Sequence, residues 1–394
     1  MLLTGTGRLA PAGLSPWAIL IRGGRIAWLG SPADAPSGER VELGSALVTP
    51  GLVDSHTHPA FAGDRSDEAA ARLEGQAYTD GGILRTVRAT READDASLER
   101  LVERRLLASL AGGTTTVECK SGYGLSLDEE LRHLRIISRV ADRVPIRVVA
   151  TFLGAHAVPP EHSSAAEYAA HVADDMIPAV ASSHLATFVD VFADAGFFDL
   201  AAAERIGRAA TASGLGFRLH ADQLERTGAA QLGVRLGAAS VDHLEQLDDE
   251  DVAVLAASRT VATVLPAPAV VLRDRLPPAR ALIDAGARVA LASDANAGTF
   301  GAFGSMPLVI GLGATLLGMS VTEALGAATT GGAAALELPD VGVLEVGASA
   351  DLVAWDAEHE GAFALHLGAV RPLRTWIAGK EVEAPSSALH TEGG

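Results

Sequence analysis

Two histidines one residue apart, His56 and His58, directly follow a short apolar run at residues 51–55. If that run is a β-strand, alternate side chains share a face, so the two imidazoles point the same way. Two imidazoles at one strand end make half of a metal site. A His-x-His pair also arises by chance in long chains, and the competing interpretation is a pair of half-buried histidines. The other strand ends of the chain decide between the two.

Polar side chains also follow several other apolar runs, and, in all, five of the 12 histidines lie at predicted strand ends. The residues at these ends that could bind a metal or a substrate include His156, His220, Gln223, His243 and Asp294. The other seven histidines lie in predicted helices, loops or the tail, where we expect solvated surface positions. Because ligand types concentrate at strand ends, a metal site is the favoured interpretation.

Three imidazoles and one carboxylate, from His56, His58, His220 and Asp294, form the predicted metal site. This donor set suits Zn²⁺ or Fe²⁺. A metal held in this way lowers the pKa of a bound water, and Asp294 is placed to take its proton. We expect His243 to polarise a substrate oxygen or to carry a proton. The alternative for Asp294 is a helix N-cap.

The scarcity of lysine limits the number of metals. A two-metal site usually needs a bridging carboxylate, which is often a modified lysine. The chain has only Lys120, on the predicted second strand, and Lys380, near the C-terminus. Neither lies on the fourth strand, so we expect one metal per subunit.

The middle of the chain alternates apolar runs with helical patterns. The eight runs are residues 51–55, 114–119, 146–153, 187–193, 216–220, 239–243, 260–265 and 288–293. The helical patterns between them include residues 98–110, 128–140, 200–213 and 277–285. Eight β-then-α units predict an α/β fold with a (β/α)8 TIM-like barrel, whose chemistry lies at the C-terminal strand ends. A doubly wound open sheet is the alternative, and it is disfavoured because no Gly-x-Gly-x-x-Gly follows the first strand.

Both ends of the chain are rich in β-strand patterns, at residues 18–21, 26–29, 41–48, 352–355 and 375–377. We therefore predict a small β-sandwich domain built from both chain ends, residues 1–49 plus 346–386. The barrel would then occupy residues 50–345, and residues 387–394 would form a flexible tail.

Composition excludes some classes of protein. The formal net charge of −18 disfavours partners whose phosphates repel an acidic protein, so we expect no nucleic acid and no membrane. No apolar run is long enough to span a bilayer, and Thr4-Gly5-Thr6-Gly7 interrupts any signal-peptide core. A single cysteine, Cys119, excludes an internal disulfide and is expected to be a small buried side chain. We expect a cytoplasmic protein.

Longer segments extend these observations. They are His58-Pro-Ala-Phe-Ala-Gly-Asp-Arg65, Gly82-Ile-Leu-Arg-Thr-Val-Arg-Ala-Thr-Arg91, Lys120-Ser-Gly-Tyr-Gly-Leu125, Thr151-Phe-Leu-Gly-Ala-His-Ala-Val-Pro-Pro160 and His220-Ala-Asp-Gln223. The chain resembles the imidazolonepropionase family of the amidohydrolase superfamily in these segments and in their order. The Lys-Ser-Gly-Tyr-Gly and Phe-Leu-Gly-Ala-His-Ala-Val-Pro-Pro segments carry most of the resemblance, because His-x-His is common to the whole superfamily.

The resemblance implies hydrolysis of the ring amide of 4-imidazolone-5-propanoate to N-formimidoyl-L-glutamate in histidine catabolism, by a homodimer with a small-molecule substrate. It implies metal ligands at His56, His58, His220 and Asp294 and a catalytic histidine at His243. It also implies substrate contacts by side chains and loop residues, namely Arg65, Tyr123, His156, Gln223, Asn296, Gly298 and Thr299. The candidate catalytic residues are therefore His243, Asp294 and Gln223.

Arg65 is the expected partner of the substrate propanoate, because a guanidinium binds a carboxylate through two hydrogen bonds. Its alternative is a surface salt bridge with Asp64 or Asp67. Gln223 can hydrogen-bond a ring N–H or carbonyl without adding charge.

Three departures from the family pattern bear on substrate fit. Residues 294–298 are Asp-Ala-Asn-Ala-Gly where the family has Asp-Cys-Asn-Pro-Gly, so a loop proline is missing. The segment between Tyr78 and Gly82 is short, and residues 299–304 are rich in glycine and phenylalanine. Two alternatives therefore stay open. One is another mononuclear amidohydrolase or deaminase that acts on a related cyclic amide or amidine, and the other is a non-catalytic barrel relative.

Overall fold

The computed structural model describes residues 1–75 and 80–383. The expectations about the shortened segment at Tyr78 and about the tail at 387–394 therefore lie outside the described residues. The strands of the described residues are β1 (Leu2–Gly5), β2 (Trp17–Arg22), β3 (Arg25–Gly30), β4 (Arg40–Glu42), β5 (Leu47–Pro50), β6 (Leu52–Asp54), β7 (Thr114–Lys120), β8 (Arg147–Ala155), β9 (Phe188–Ala193), β10 (Gly216–Ala221), β11 (Ser240–His243), β12 (Val261–Val264), β13 (Val289–Leu291), β14 (Leu352–Trp355), β15 (Pro372–Ile377) and β16 (Lys380–Val382).

Helices follow or cover most of these strands. The α-helices are α1 (Ser66–Leu73), α2 (Asp80–Glu92), α3 (Asp95–Ala111), α4 (Leu127–Ala141), α5 (Ala165–His171), α6 (Ile177–Ser183), α7 (Leu200–Ala212), α8 (Ala229–Leu236), α9 (Asp249–Ala256), α10 (Pro266–Leu272), α11 (Ala279–Asp284), α12 (Met306–Leu316), α13 (Val321–Gly326), α14 (Gly332–Ala335) and α15 (Ala362–Leu365). A 3-10 turn lies at Pro32–Asp34, and π-helical turns lie at Val172–Met176 and Ala327–Gly331. None of the described helices combines the length and the apolar character that crossing a bilayer requires.

Strands β6 to β13 form one parallel sheet in which each strand pairs with its neighbours in chain order. Every residue of β7 and of β9 is buried, as expected when a parallel sheet is enclosed by helices. The sheet closes on itself, since Thr57 and Ala295 form a parallel bridge between its two ends. This closure confirms the predicted barrel and excludes the open doubly wound sheet.

A buried carboxylate reinforces the closure. Asp54, at the end of the first barrel strand, accepts hydrogen bonds from the amide and the hydroxyl of Ser293 at 3.0 and 2.6 Å. Burial raises the pKa of Asp54 to about 7. The two strand ends that carry His56 and Asp294 are therefore tied together just below the predicted metal site.

Two four-stranded sheets come from the chain ends, in the orders β3-β2-β1-β4 and β16-β15-β14-β5. They share one buried cluster, with Leu3 and Ile19 from the first sheet and Val48, Leu352 and Trp376 from the second. This packing confirms the predicted sandwich. The division of the chain at residues 49 and 346 stays a prediction.

The prediction of a single strand over residues 41–48 is wrong. The chain turns between β4 and β5, where Gly44 has a φ of +57° that glycine adopts without strain. β4 then pairs in parallel with β1, whereas β5 pairs with β14 in the other sheet. The eight residues thus cross from one sheet to the other.

One surface assignment is also wrong. The position of His133 outside the strand ends predicts a solvated ring, but this histidine is fully buried on the inner face of α4. Within residues 1–75 and 80–383, neither of its ring nitrogens has a hydrogen-bond partner. Burial lowers the pKa of His133 to about 3, so its imidazole is neutral at pH 7. Cys119 is buried, as expected.

Candidate metal centre and active site

Four side chains from separate parts of the chain converge at the C-terminal end of the barrel. The Nε2 atoms of His56 and His220 lie 3.1 Å apart, and Nε2 of His58 lies 3.3 and 3.4 Å from them. A carboxylate oxygen of Asp294 lies 3.6 Å from Nε2 of His56 and 3.4 Å from Nε2 of His58. Donors arranged tetrahedrally at bond lengths of about 2.0–2.1 Å are about 3.3 Å apart. These distances therefore fit one shared cation.

Two of the three histidines are oriented by buried aspartates. Nδ1 of His56 lies 2.7 Å from a carboxylate oxygen of Asp242, and Nδ1 of His220 lies 3.1 Å from Asp190. A carboxylate at Nδ1 holds the ring proton there and leaves the Nε2 lone pair for a metal. Burial lowers the pKa of His220 to about 4 and holds the pKa of His56 well below its ordinary value. Both rings are neutral at pH 7, as metal binding requires.

Asp294 has a left-handed backbone, with a φ of +49°, which few residues other than glycine adopt. It does not cap a helix, since the next helix begins only at Met306. Burial by itself raises the pKa of Asp294, but the hydrogen bond from His58 and the nearby His56 outweigh it and lower that pKa below the ordinary value. Asp294 therefore offers an ionised oxygen to the cluster.

His243 lies beside the cluster on the last residue of β11. Its ring centroid is 5.3 Å from that of His220 and 5.6 Å from that of His56. Its backbone is also left-handed, with a φ of +85°. Burial lowers the pKa of His243, but the carboxylate of Glu245, 3.5 Å from Nδ1, outweighs it and raises that pKa. The ring is thus placed to act as a hydrogen-bond donor or acid next to the donor cluster.

One cavity of about 30 Å³ brings together most of the sequence-predicted substrate residues. It is lined by His58, Arg65, Ile83, Tyr123, His156, Phe192, His220, Gln223, His243, Asp294, Asn296 and Thr299. A cavity of this size has room for an ion and one or two waters.

Arg65 is buried, and its partner is neither Asp64 nor Asp67. Its Nε and Nη2 atoms donate to the two carboxylate oxygens of Glu68 at 2.8 and 2.6 Å. Arg72 donates to the same carboxylate at 2.6 Å. Two guanidinium groups thus share one carboxylate beside the cavity. The surface alternative for Arg65 is wrong, because the first turn of α1 places Glu68 next to it.

The loop after β13 is held by the side chain of Asn296. Its amide nitrogen donates to the carbonyl of Asp294 at 2.7 Å and to the hydroxyl of Thr299 at 2.6 Å. Its oxygen accepts from the amides of Gly298 and Thr299 at 2.7 and 2.8 Å. These four bonds fix the loop although Ala297 replaces the proline of the family pattern.

Gly298 does not line the cavity. A Cβ atom at this position would lie 2.3 Å from the guanidinium of Arg65, so glycine leaves space for that side chain. Asn296 and Thr299 do line the cavity, next to Asp294. The structure thus places Gly298 beside Arg65, whereas the resemblance implies a direct substrate contact.

Tyr123, His156 and Gln223 form the rest of the wall. The ring of His156 lies 5.3 Å from that of His58 and 5.1 Å from that of Tyr123, and its Nδ1 lies 3.0 Å from the Gly122 carbonyl. Gln223 is anchored through its backbone amide, which donates to Asp194 at 2.7 Å. The side-chain amide of Gln223 makes no hydrogen bond within residues 1–75 and 80–383, so it remains available to a ligand.

Sequence reasoning missed a group of charged residues inside the barrel strands. These buried side chains are Glu118, Lys120, Asp190, Arg218 and Asp242. Burial alone would lower the pKa of Lys120, but Asp190 and Glu118 outweigh it and raise that pKa. Burial also raises the pKa of Asp242, whereas the charge of Arg218 lowers it, and this pKa is lowered overall. The available signal was a set of charges within otherwise apolar runs.

Comparison with known proteins agrees with this architecture. The model of the amidohydrolase family matches residues 47–382. The imidazolonepropionase of Streptomyces avermitilis is 45% identical over 380 residues, which cover 96% of this chain and 90% of that protein. The imidazolonepropionase of Nocardia farcinica is 44% identical over 389 residues, covering 96% and 97%. The chain belongs to the amidohydrolase family, among its imidazolonepropionases.

Solved structures of two other enzymes share the fold. A 5-methylcytosine deaminase from Klebsiella pneumoniae, liganded with phosphonocytosine, has a TM-score of 0.78 at 16% identity over 98% of each chain. The atrazine chlorohydrolase TrzN from Arthrobacter aurescens, complexed with zinc, has a TM-score of 0.70 at 20% identity. That alignment covers 97% of this chain and 95% of the other. At such identities the likeness concerns the fold alone.

Proposed function

We propose that this protein hydrolyses the ring amide of 4-imidazolone-5-propanoate to N-formimidoyl-L-glutamate in histidine catabolism. The observation that carries the proposal is the cluster of three imidazole nitrogens and one carboxylate oxygen, 3.1–3.6 Å apart, beside a buried arginine. Relatives named imidazolonepropionase, 43–47% identical over most of the chain, support the choice of substrate.

We propose one zinc or iron ion per subunit, held by His56, His58, His220 and Asp294. Neutral imidazoles and one carboxylate are suitable ligands for either ion. When bound, such an ion lowers the pKa of a water molecule and polarises a carbonyl group. Elemental analysis of protein purified without added metal identifies the ion, and a metal content far below one per chain would contradict this proposal.

The side chains of the site supply the proton transfers. The free oxygen of the Asp294 carboxylate takes a proton from the attacking water, whose oxygen bonds to the ring carbonyl carbon. His243, whose pKa the carboxylate of Glu245 raises, donates a hydrogen bond to the oxygen on which negative charge develops. The amide C–N bond then breaks, and the proton held by Asp294 passes to the leaving nitrogen. The new carboxylic acid releases its remaining proton to solvent, which leaves a carboxylate and a nitrogen that carries the formimidoyl group.

The cavity wall orients the substrate. Arg65, which lines the cavity and is held by Glu68, binds the propanoate. Gln223 faces the same cavity and hydrogen-bonds the ring without adding charge. Tyr123 and His156 pack against the ring.

The decisive assay follows the loss of imidazolone absorbance with purified, metal-replete protein, and product analysis identifies N-formimidoyl-L-glutamate. We expect turnover that a chelator abolishes and added metal restores. An intact substrate would contradict the assignment. Release of ammonia from a related cyclic amidine would instead favour the deaminase alternative.

We also propose that the enzyme is a cytoplasmic homodimer, as the resemblance implies. Light scattering of the purified protein gives its mass in solution, for which we expect twice the 40.4 kDa of the chain. A mass of one chain at micromolar concentration would contradict the dimer. Cell fractionation followed by the hydrolysis assay tests the compartment.

A further inference from the structure

A layer of five charged side chains lies directly beneath the metal donors, inside the barrel. Its members are fully buried and come from four strands of the barrel, and they are Glu118, Lys120, Asp190, Arg218 and Asp242. Charged residues are rarely buried to this extent unless they are paired, because removing an ion from water costs several kcal/mol. Their pairing therefore indicates what the layer does.

The five side chains form one continuous chain of ion pairs. Nζ of Lys120 lies 2.6 Å from Asp190 and 2.8 Å from Glu118. Arg218 lies 3.4 Å from Glu118 through Nε and 3.0 Å from Asp242 through Nη2. The order is Asp190, Lys120, Glu118, Arg218, Asp242. Each cation thus bridges two carboxylates, and an aspartate stands at each end.

Both end aspartates contact metal donors. Asp190 accepts from Nδ1 of His220 at 3.1 Å, and Asp242 accepts from Nδ1 of His56 at 2.7 Å. Lys120 and Arg218 make no hydrogen bond to a histidine ring in the described residues, and the aspartates that they contact are the groups that hydrogen-bond the rings. His58 differs from the other two donors, because its Nδ1 has no hydrogen-bond partner among the residues that the structure describes.

The formal charges of the layer also match a divalent ion. Three carboxylates and two cations sum to −1, and the ionised Asp294 brings the total to −2. One divalent cation balances this charge within the buried site. Removal of either Lys120 or Arg218 would leave one end aspartate without its cation. That aspartate, which accepts from Nδ1 of a metal-binding histidine, would then no longer be held in a fixed position.

We propose that Lys120 and Arg218 are positioning residues for the metal: they hold Asp190 and Asp242, which keep His220 and His56 turned with Nε2 towards the ion. This inference rests on the metal site of the proposed function. It assigns a role to two residues that touch neither the metal donors nor the cavity. Groups that orient metal-bound histidines typically contribute about 10- to 100-fold to metal affinity.

The test measures metal affinity of the full chain by competition with a chromophoric chelator, with Zn²⁺ as the probe and without substrate. We expect the Lys120→Met and Arg218→Met variants to bind Zn²⁺ about 10- to 100-fold more weakly than wild type. The matched control is Arg147→Met, which removes a cation 2.6 Å from the buried Asp351, near the opposite end of the barrel. That control should keep its affinity for Zn²⁺ within twofold.

A milder variant keeps the test decisive if the methionine variants do not fold. Asp242→Asn keeps the shape and an acceptor oxygen but removes the charge, and we expect Zn²⁺ binding about tenfold weaker. Circular dichroism shows whether each variant is folded. Wild-type affinity in any folded variant of Lys120, Arg218 or Asp242 would overturn the proposal. The measurement of Zn²⁺ affinity uses no substrate. Failure of the hydrolysis assay would therefore contradict the proposed function but not the role of Lys120 and Arg218 in metal binding.

Discussion

The two ends of the barrel differ in the cavities that they carry. The C-terminal end holds a cavity of about 30 Å³ that is lined by the histidines and Asp294. The N-terminal end holds a cavity of about 730 Å³ between the starts of β11, β12 and β13 and residues 330–343. Alanine and valine side chains form much of its wall, together with the exposed Arg259 and Arg288. Volume alone would thus point to the wrong end of the molecule.

The convergence of polar groups distinguishes the two ends better than size. Both groups of candidate metal ligands found among the described residues lie at the C-terminal end. Left-handed backbones at Asp222, His243 and Asp294 lie there too, and such strain accumulates at functional sites. In barrels of this kind the N-terminal end serves stability, whereas the C-terminal loops carry the chemistry. Substitutions at the two ends should therefore have very different effects.

The largest effect is expected for Asp294→Asn. The variant loses both a ligand oxygen and the proton acceptor, so we expect kcat/KM to fall by on the order of 10⁴. Steady-state kinetics with metal analysis of the same sample measures this change. A decrease of less than tenfold at full metal content would show that another group takes the proton, and would weaken the contrast between the two ends.

Arg65→Met should have the next largest effect. Loss of a buried guanidinium that binds a carboxylate costs about 2–5 kcal/mol, so we expect kcat/KM to fall by about 10²-fold, mainly through KM. Metal content should not change. Arg85→Met is the control, because Arg85 makes an exposed pair with Asp67 on the same face. Equal kinetics of the two variants would favour a substrate without a carboxylate.

The positions of the donors could be predicted because they depend on local rules. Apolar runs predict strands, and polar residues after each run must meet at one end of a closed parallel barrel. The metal ligands could therefore be assigned without knowing which side chains pair, and they are His56, His58, His220 and Asp294. The count of eight runs predicted a closed barrel, and the bridge between Thr57 and Ala295 that closes it is known only from the structure.

The pairings of the charged residues could not be predicted in the same way. Lys120 and Asp190 are 70 residues apart, and His56 and Asp242 are 186 apart, so strand register decides which charges meet. The partner of Arg65 was missed for a local reason. Its pairing with Glu68 depends on α1 beginning at Ser66, and helix ends are poorly defined by sequence alone.

His133, which lies on an outer helix and in neither cavity, should influence stability rather than activity. The pKa of its buried ring is about 3, compared with 6.5 for an exposed histidine. Below pH 6.5 the unfolded chain therefore binds a proton at His133 that the folded protein does not bind. The contribution of the neutral His133 to the free energy of unfolding is therefore complete above pH 6.5 and is lost as pH falls towards 3. Between pH 7.5 and pH 5 the loss is about 2 kcal/mol.

His133→Leu should remove this dependence. Urea unfolding at pH 7.5 and at pH 5 measures the free energy of unfolding, and we expect the difference between the two pH values to shrink by about 2 kcal/mol in the variant. Activity at pH 7.5 should stay within twofold of wild type. An unchanged pH dependence would mean that other groups dominate the loss of stability in acid.

The smallest effect is expected at the N-terminal cavity. Arg259 and Arg288 have no ion-pair partner among the described residues, and both are exposed, so their joint replacement by alanine removes no buried contact. We expect kcat/KM within twofold of wild type and a free energy of unfolding within about 0.5 kcal/mol. The double variant is measured beside Arg65→Met in the same assay. A tenfold loss of activity in the double variant would show that the two ends of the barrel are coupled, because neither arginine lies near the reacting atoms.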